Sequence, residues 1–490
     1  MPTIPSLLLA GASSNAGKTV TTAALLCALQ ARGFTVRPAK TGPDYIDAAW
    51  HAALCGVPSA NLDTWRAAGG PPDARPLAPR ALRARLAAVR ERLAEDGGGE
   101  SLLLIEGAMG LFDGAAGPDG GGDGSSARLA SVCGIPVVLL INVRGMGQSA
   151  AALAEGFFRF RPPWMGRRGL KFLGVICTHA GGERHAALLR AAFAPLERRY
   201  GIPLLGCLPR AGAPDIASRH LGLVQAQEAA GALDRDELAR WLEAHVRVDA
   251  LLQRLGLPVR AGGGAAAPCA SCGRAPQKRR RGPVVAIARD EAFSFLYADL
   301  PPLLRRLGAE VRFFSPLREG LPACDGVYLP GGYPELHGAA LLGNTALRES
   351  LRRAAQEDGL PVHGECGGYL YLMRRLRLRD GTELPFCDLL PLEAALRERR
   401  AALGYRAARV YPGWLPGTEG APLWLRGHEF HYAELLTSVA PEEALWQSHD
   451  AAGRCLGPEG CRRGRVSGTW LHAYPQGSLA FWRAWLRLLR

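Results

Sequence analysis

The chain lacks any apolar run of the roughly 18 residues that a membrane span needs. No basic region precedes its first apolar stretch, Pro5–Ala10, so a secretory signal is not indicated and a cytoplasmic protein is the expectation. Positive charge is plentiful, with a formal net charge of +14, but no aromatic residues interleave with the basic ones. That absence argues against a nucleic-acid stacking platform and for a solvated arginine-rich surface, spread through helices such as Arg80–Arg92 and Arg397–Arg400. The 12 cysteines are scattered, and Cys27, Cys133, Cys177 and Cys207 lie in apolar runs, as expected for buried free thiols. Cys269 and Cys272 form a C-x-x-C with no second pair at zinc-ribbon spacing, so no metal is assigned there.

What is present points to a globular α/β protein. A chain of 490 residues, 48% hydrophobic and 21% charged, is too long for one core. Residues 1–246 alternate strand-like runs (6–10, 102–106, 136–142, 172–177 and 203–207) with helix-like ones, the pattern of a parallel sheet. Residues 247–282 read as a linker, because 262–267 is all Gly and Ala and 278–281 is Lys-Arg-Arg-Arg. A second α/β pattern fills 283–490, beginning at Val284–Ala288. The halves share no internal repeat.

The first half opens on a strand, a loop of small residues and an apolar helix from Thr21 to Ala31. The loop holds Gly11, Ser13, Asn15, Gly17, Lys18 and Thr19. Backbone N–H groups of such a loop cradle a nucleotide's phosphates, Lys18 pairs with the β/γ oxygens and the Thr19 hydroxyl reaches a magnesium ion. Five residues separate Gly11 from Gly17 where the usual loop has four; counting from Ala12 restores four, with Ala in the first position. These residues predict ATP binding. Glu106, at the end of an apolar strand, and Asp44 and Asp47, after another, fall at the C-terminal edge of the expected sheet. Water can enter there, so the cost of burying charge is small, and with Thr19 the expected metal ligands are Asp47 and Glu106. Asp44, Tyr45 and Asp113 are expected at the substrate or intermediate.

The second half carries a different chemistry. Cys366 lies between small residues in Pro361-Val-His-Gly-Glu-Cys-Gly-Gly368, ahead of a helical stretch read as Tyr369–Leu376. A nucleophile at such an elbow projects from the sheet edge, and a helix N-terminus favours its thiolate. His472 follows a strand-like segment and is the candidate base. Gly331, Gly332 and Gly367 offer backbone N–H groups for an oxyanion hole. In Arg426-Gly-His-Glu-Phe-His431 the two histidines are three apart, but metal ligation is not the reading chosen; Glu429 is instead a candidate support for the active site.

Cys366, His472 and the Gly-Gly-Tyr-Pro-Glu335 loop resemble a class I-type glutamine amidotransferase domain. Most members carry Glu two positions after the His, where this chain has Tyr474, so a third member is absent or comes from elsewhere. Lys40-Thr-Gly-Pro-Asp-Tyr-Ile-Asp47, Asn61-Leu-Asp63, Glu106-Gly-Ala-Met-Gly-Leu-Phe-Asp113 and Arg144–Ser149 resemble the cobyrinic acid a,c-diamide synthases. The resemblance covers nearly the whole chain outside the linker. It implies a dethiobiotin synthetase-like ATPase domain joined to an amidotransferase domain, and amidation of the a and c carboxylates of cobyrinic or hydrogenobyrinic acid. The implied partners are ATP, L-glutamine, Mg2+, a corrinoid tetracarboxylic precursor and a second copy of the chain in a homodimer, with neither nucleic acid nor membrane. Nickel-sirohydrochlorin a,c-diamide synthase and, from another class, a partitioning-type ATPase switch are the alternatives. Relatives place Asn and a basic residue where this chain has Thr178-His179, which leaves nucleotide preference open.

Overall fold

Seven apolar runs of the first half assemble into one sheet, in the order β3-β2-β4-β1-β5-β6-β7. The strands are β1 (Ser6–Gly11), β2 (Thr35–Thr41), β3 (Ala60–Leu62), β4 (Ser101–Gly110), β5 (Val137–Asn142), β6 (Phe172–Ala180) and β7 (Leu204–Pro209). Every pairing is parallel, as strands joined by helical crossovers require. Near-continuous Leu, Ile and Val in β1, β4 and β5 suit strands covered on both faces. Helix α1 (Lys18–Ala31) is buried over most of its circumference and packs with Leu238 and Leu242 of the helix Arg235–His245.

The computed structural model describes residues 4–72, 80, 83–84, 87, 101–115, 124–214, 218–219, 222–223, 234–260, 282–417, 420 and 422–489. They divide into two units, Met1–Trp65 with Leu77–Ala275 and Arg66–Pro76 with Pro276–Arg490. The Gly/Ala run, the Cys269/Cys272 pair and the basic run 278–281 lie outside the described residues, as does most of Arg80–Arg92. Within the stretch read as linker, Val248–Leu255 is a helix whose Val248, Leu251 and Leu252 join the first unit's core. The ten described cysteines are free; Cys27, Cys177 and Cys207 are buried, whereas Cys133, at the end of its helix, is only half-buried.

In the second unit, Val284–Ala288, Glu310–Phe314, Gly326–Leu329, Val362–Glu365 and Val466–Thr469 pair in parallel, with Cys461–Arg463 antiparallel at one edge. Two further sheets, of four and five strands, come from residues 373–473. The helix expected over Tyr369–Leu376 is shorter. It spans Gly367–Leu372, and Met373–Arg377 is a strand that buries Met373 and Leu376 while Arg374 and Arg377 are exposed. Arg397–Arg400 is not helical either. It connects the strands Leu390–Leu396 and Ala402–Val410, and its four polar residues give a helix no apolar face to bury.

Aromatic packing closes this second core. Phe481 and Trp482 of the helix Leu479–Leu488 are fully buried, and the Phe481 ring lies 5.1–6.2 Å from those of Trp482, His363, Trp446 and Trp414. Truncating it leaves a cavity among rigid neighbours. Phe481→Ala is expected to cost about 3–5 kcal/mol, read as a lower urea midpoint at unchanged m-value; a loss below about 1 kcal/mol would mean the core collapses to fill the space.

Candidate active sites

The phosphate loop leaves β1 and enters α1 through Gly17, whose φ of 74° suits glycine. A Cβ on Gly11 would come within 2.7 Å of both the Ala16 Cβ and the Ser13 carbonyl oxygen, so the tight turn requires glycine there. Lys18 folds back over the loop, donating from Nζ to the carbonyls of Ser13 and Ser14 at 2.9 Å each. Asn142, at the end of β5, donates to the Asn15 carbonyl at 3.0 Å. Thr178 and His179 close the far side. Thr178 donates to the Ala16 carbonyl at 3.0 Å, and both side chains stand 3.4–3.5 Å from the Cβ position of Gly17. These two residues touch the phosphate loop itself.

Beneath the loop, strand register concentrates charge. Lys40 on β2 and Leu9 on β1 both pair with Glu106 on β4, so Lys40 and Glu106 are neighbours on adjacent parallel strands. The Lys40 ammonium donates to Glu106 at 2.7 Å and to Asp47, and lies 3.9 Å from Asp44. His51, one turn beyond Asp47 on α2 (Ile46–Cys55), meets the other Glu106 oxygen at 2.7 Å. The Thr19 hydroxyl donates to Glu106 at 3.0 Å and to Asp47 at 3.4 Å. Thr19, Asp47 and Glu106 therefore converge as expected, but not at a wet edge: Glu106 is 0% exposed and Asp47 8%. Lys40 supplies the counter-charge that lets these carboxylates sit inside.

The protonation states follow. Burial alone would raise the Glu106 carboxyl, but the Lys40 charge and the His51 hydrogen bond outweigh it and hold Glu106 below the usual carboxylate range. Burial pushes Asp47 up, and the charges of Asp44 and Glu106 add to it. Three carboxylates share one ammonium, an excess of negative charge that a divalent cation would neutralise. Among the described residues no three His, Cys, Asp or Glu side chains converge as metal ligands. Two carboxylates and a hydroxyl are nonetheless the kind of set that holds Mg2+, which keeps waters and phosphate oxygens for its other positions.

The other residues expected here divide. Asp44 opens α2 by accepting from the N–H groups of Ile46 and Asp47 at 2.9 and 3.0 Å, and Tyr45 beside it is only 9% exposed. Asp113 is exposed, accepts from the Gly110 N–H at 2.9 Å, and its charge acts on Lys18. Lys40 and His51 were not singled out from the sequence, although a lysine ending a buried strand needs an anionic partner.

In the second unit Cys366 stands at the end of the buried strand Val362–Glu365 with φ 49°, the strained conformation of an elbow. A Cβ on Gly368 would meet the Leu329 carbonyl carbon at 2.7 Å, and one on Gly367 would meet the Gly332 nitrogen at 2.8 Å. The two glycines let the elbow press against the Gly331-Gly332 loop. His472 occupies the other side, its ring lying where a Gly331 Cβ would stand. One loop is thus held between nucleophile and histidine. The Cys366 thiol is not favoured as thiolate: burial pushes it up, then the charge of Glu335, against a pull from the Gly367 N–H. The six-residue helix behind it does not offset desolvation.

Burial also pushes His472 down to about 3, so the imidazole is neutral and can accept a proton. Its Nδ1 lies 4.0 Å from Glu365, beyond hydrogen-bond distance, and Glu365 accepts from the Tyr328 hydroxyl at 2.9 Å and the Ala473 N–H at 3.3 Å. Burial raises Glu365 to about 8. Glu365 stands beside His472, where Tyr474 carries no carboxylate, and its place directly before the nucleophile was the signal available in the sequence. Glu429 bridges Arg406 at 2.6 Å and His431 at 2.9 Å. His428 stacks on His472 at 4.8 Å and bonds the Tyr297 hydroxyl at 3.2 Å. Both histidines of the Arg426–His431 motif thus have partners within the fold.

Comparison with known proteins agrees with both halves. Residues 7–223 match the CobQ/CobB/MinD/ParA nucleotide binding domain, and residues 284–478 the CobB/CobQ-like glutamine amidotransferase domain. Hydrogenobyrinate a,c-diamide synthase from Brucella abortus biovar 1 is 40% identical over 469 residues, covering 95% of this chain and 97% of the relative. The enzyme of the same name from Rhodobacter capsulatus is 41% identical over 471 residues, at 95% and 98%. That from Rhizobium meliloti is 39% identical over 472 residues, at 95% and 98%. With two domains matched in order and near-complete coverage of both chains, this protein belongs to the hydrogenobyrinate a,c-diamide synthase family.

Proposed function

We propose that the protein amidates the a and c carboxylates of hydrogenobyrinic acid, the substrate in its relatives' names, and that it does so with ATP and glutamine, in line with its nucleotide-binding and glutamine amidotransferase domains. What supports this reading is the convergence of Thr19 with Asp47 and Glu106 beside Lys18 in the first unit, and, in the second, a Gly331-Gly332 loop held between Cys366 and His472. A cytoplasmic location is part of this proposal; no helix among the described residues is long and apolar enough to cross a membrane.

A carboxylate resists ammonia because its leaving group would be oxide. In the proposed reaction a ring carboxylate oxygen attacks the γ-phosphorus of ATP and ADP leaves. The acyl phosphate then loses phosphate to ammonia, giving the amide. Lys18 places a fixed positive charge on the β/γ oxygens, and Thr19, Asp47 and Glu106 would hold Mg2+, which supplies further charge neutralisation there. Lys40 keeps Glu106 ionised for that role. In the second unit Cys366 attacks the glutamine amide carbon as His472 takes the thiol proton and returns it to the leaving ammonia. Water hydrolyses the thioester to glutamate. Gly331, Gly332 and Gly367 N–H groups receive the oxyanion, and Glu365 orients His472.

The direct test is incubation with ATP and glutamine and with hydrogenobyrinic, cobyrinic or nickel-sirohydrochlorin substrate; turnover only of the nickel compound would overturn the assignment. Cys366→Ala should abolish glutamine-driven synthesis and keep synthesis from high free ammonia. Loss of both in a folded variant would remove the case for a separate ammonia-producing centre.

Asp47→Asn keeps the shape and deletes one charge while Lys40 retains Glu106. Ring amidation should fall at least about a hundredfold, some 2.7 kcal/mol of barrier, with the melting temperature and the glutaminase rate little changed. A large drop in melting temperature with parallel loss of both activities would make Asp47 structural.

Lys18 supplies a pH signature. Burial, then the Lys40 charge, lowers its ammonium from 10.5 to about 8. It is cationic below that pH and neutral above it, so ATP affinity should be flat to about pH 8. Above that it should weaken toward about tenfold per pH unit, until the pKa of the phosphate-bound lysine is reached. Calorimetric titrations between about pH 6.5 and 9.5 read this directly. A profile with no inflection would remove Lys18 from the phosphates.

A further inference from the structure

The loop that carries Gly331 and Gly332 continues into the turn Pro334–His337. Pro334 lies against the elbow, its Cδ 2.9 Å from the Cβ position of Gly367. The next residue, Glu335, is half-buried, and its Oε2 is shut off from solvent without a hydrogen-bond partner among the described residues. An acceptor in that state is costly unless something arrives to satisfy it. Burial pushes its carboxyl up to about 7. Arg379, the cation acting on it, stacks its guanidinium over the Tyr432 ring at 5.9 Å. Of the charges that act on the Cys366 thiol, that of Glu335 has the largest effect, in keeping with Pro334, its chain neighbour, lying against the elbow.

A glutamine at Cys366 presents its carbamoyl carbon to sulfur and carries one cation, the α-ammonium, at its other end. We propose that Glu335 is the residue that binds that α-ammonium group and so selects glutamine among primary amides. The proposal rests on the reading of Cys366 as the glutaminase nucleophile. It explains why a carboxylate is kept beside a thiol that it disfavours: the substrate's own cation neutralises it, and the opposition to thiolate formation falls when glutamine binds.

The test compares L-glutamine with 4-carbamoylbutanoate, which has the same amide, chain and carboxylate but no ammonium. Ammonia release by the full-length protein gives kcat/KM for each. The unaltered protein should prefer glutamine by about thirtyfold or more, as expected when a buried charge partner is lost. Glu335→Gln should lose about thirtyfold or more on glutamine and less than about threefold on the analogue. Glu335→Asp should recover part of the preference. Equal losses on both amides would give Glu335 a structural role and overturn the proposal, as would an unaltered protein that does not distinguish them, a result that needs no variant to fold. If Cys366→Ala keeps full glutaminase activity, the nucleophile reading fails first and the proposal with it.

Discussion

The first unit depends on one interaction, the buried contact between Lys40 and Glu106. Parallel register brings the two side chains together on neighbouring strands, under the loop that carries Lys18 and Thr19. An isolated carboxylate at 0% exposure would neutralise itself by taking up a proton. With the Lys40 ammonium and His51 bound to it, Glu106 stays ionised. Removing one partner of such a pair typically costs about 3–5 kcal/mol, so these residues cannot drift independently of the sheet. Asp47 completes the group from α2, its carboxyl pushed up first by burial and then by the charges of Asp44 and Glu106. Three carboxylates around the Lys40 ammonium suit a site proposed to receive Mg2+ with a nucleotide.

The second unit uses burial in the opposite way. Around Cys366 and His472 the dominant influence is desolvation, and it leaves the thiol protonated, the imidazole neutral and Glu365 protonated near neutral pH. A thiol in that condition is a poor nucleophile toward solvent-borne electrophiles. The strained φ at Cys366 and the close packing of Gly367 and Gly368 hold it against the Gly331-Gly332 loop regardless. In the proposed reaction the oxyanion donors and the proton acceptor are fixed before substrate arrives, while the charge state waits on the substrate.

How much of this was legible depended on how local the signal is. The phosphate loop, the elbow and the Gly-Gly loop are contiguous stretches whose geometry follows from glycine placement, and they stand where the sequence puts them. The convergence of Thr19, Asp47 and Glu106 was legible because all follow apolar runs of one parallel sheet. Their burial was not, because it depends on which strands are neighbours: β2 and β4 pair although a strand and a long segment separate them in the chain. Lys40, His51 and Glu365 were missed for the same reason, since each acquires its role from a partner on another element. The helix expected over Arg397–Arg400 was an error of another kind, in which charge was read as helix without an apolar face to anchor it.

The two environments suit the two halves of the proposed chemistry. Phosphoryl transfer moves negative charge between oxygens, and a site crowded with fixed charges of both signs stabilises that shift without reorganising solvent. Amide cleavage must release a nitrogen that can attack an acyl phosphate, and ammonia does so only as the free base. Around Cys366 burial disfavours charge, so an ammonium ion formed there would incur the same desolvation that holds the His472 imidazole neutral. His472 hands over only the proton it took from the thiol, and burial pushes Glu365 and Glu335 toward neutral carboxyl groups, which offer less negative charge to retain an ammonium ion. A wet, carboxylate-rich pocket would trap the product as ammonium. Burial that makes Cys366 reluctant is therefore the same property that keeps its product reactive, and a more exposed, more acidic thiol would gain rate in the first step while losing the nucleophile the second one needs.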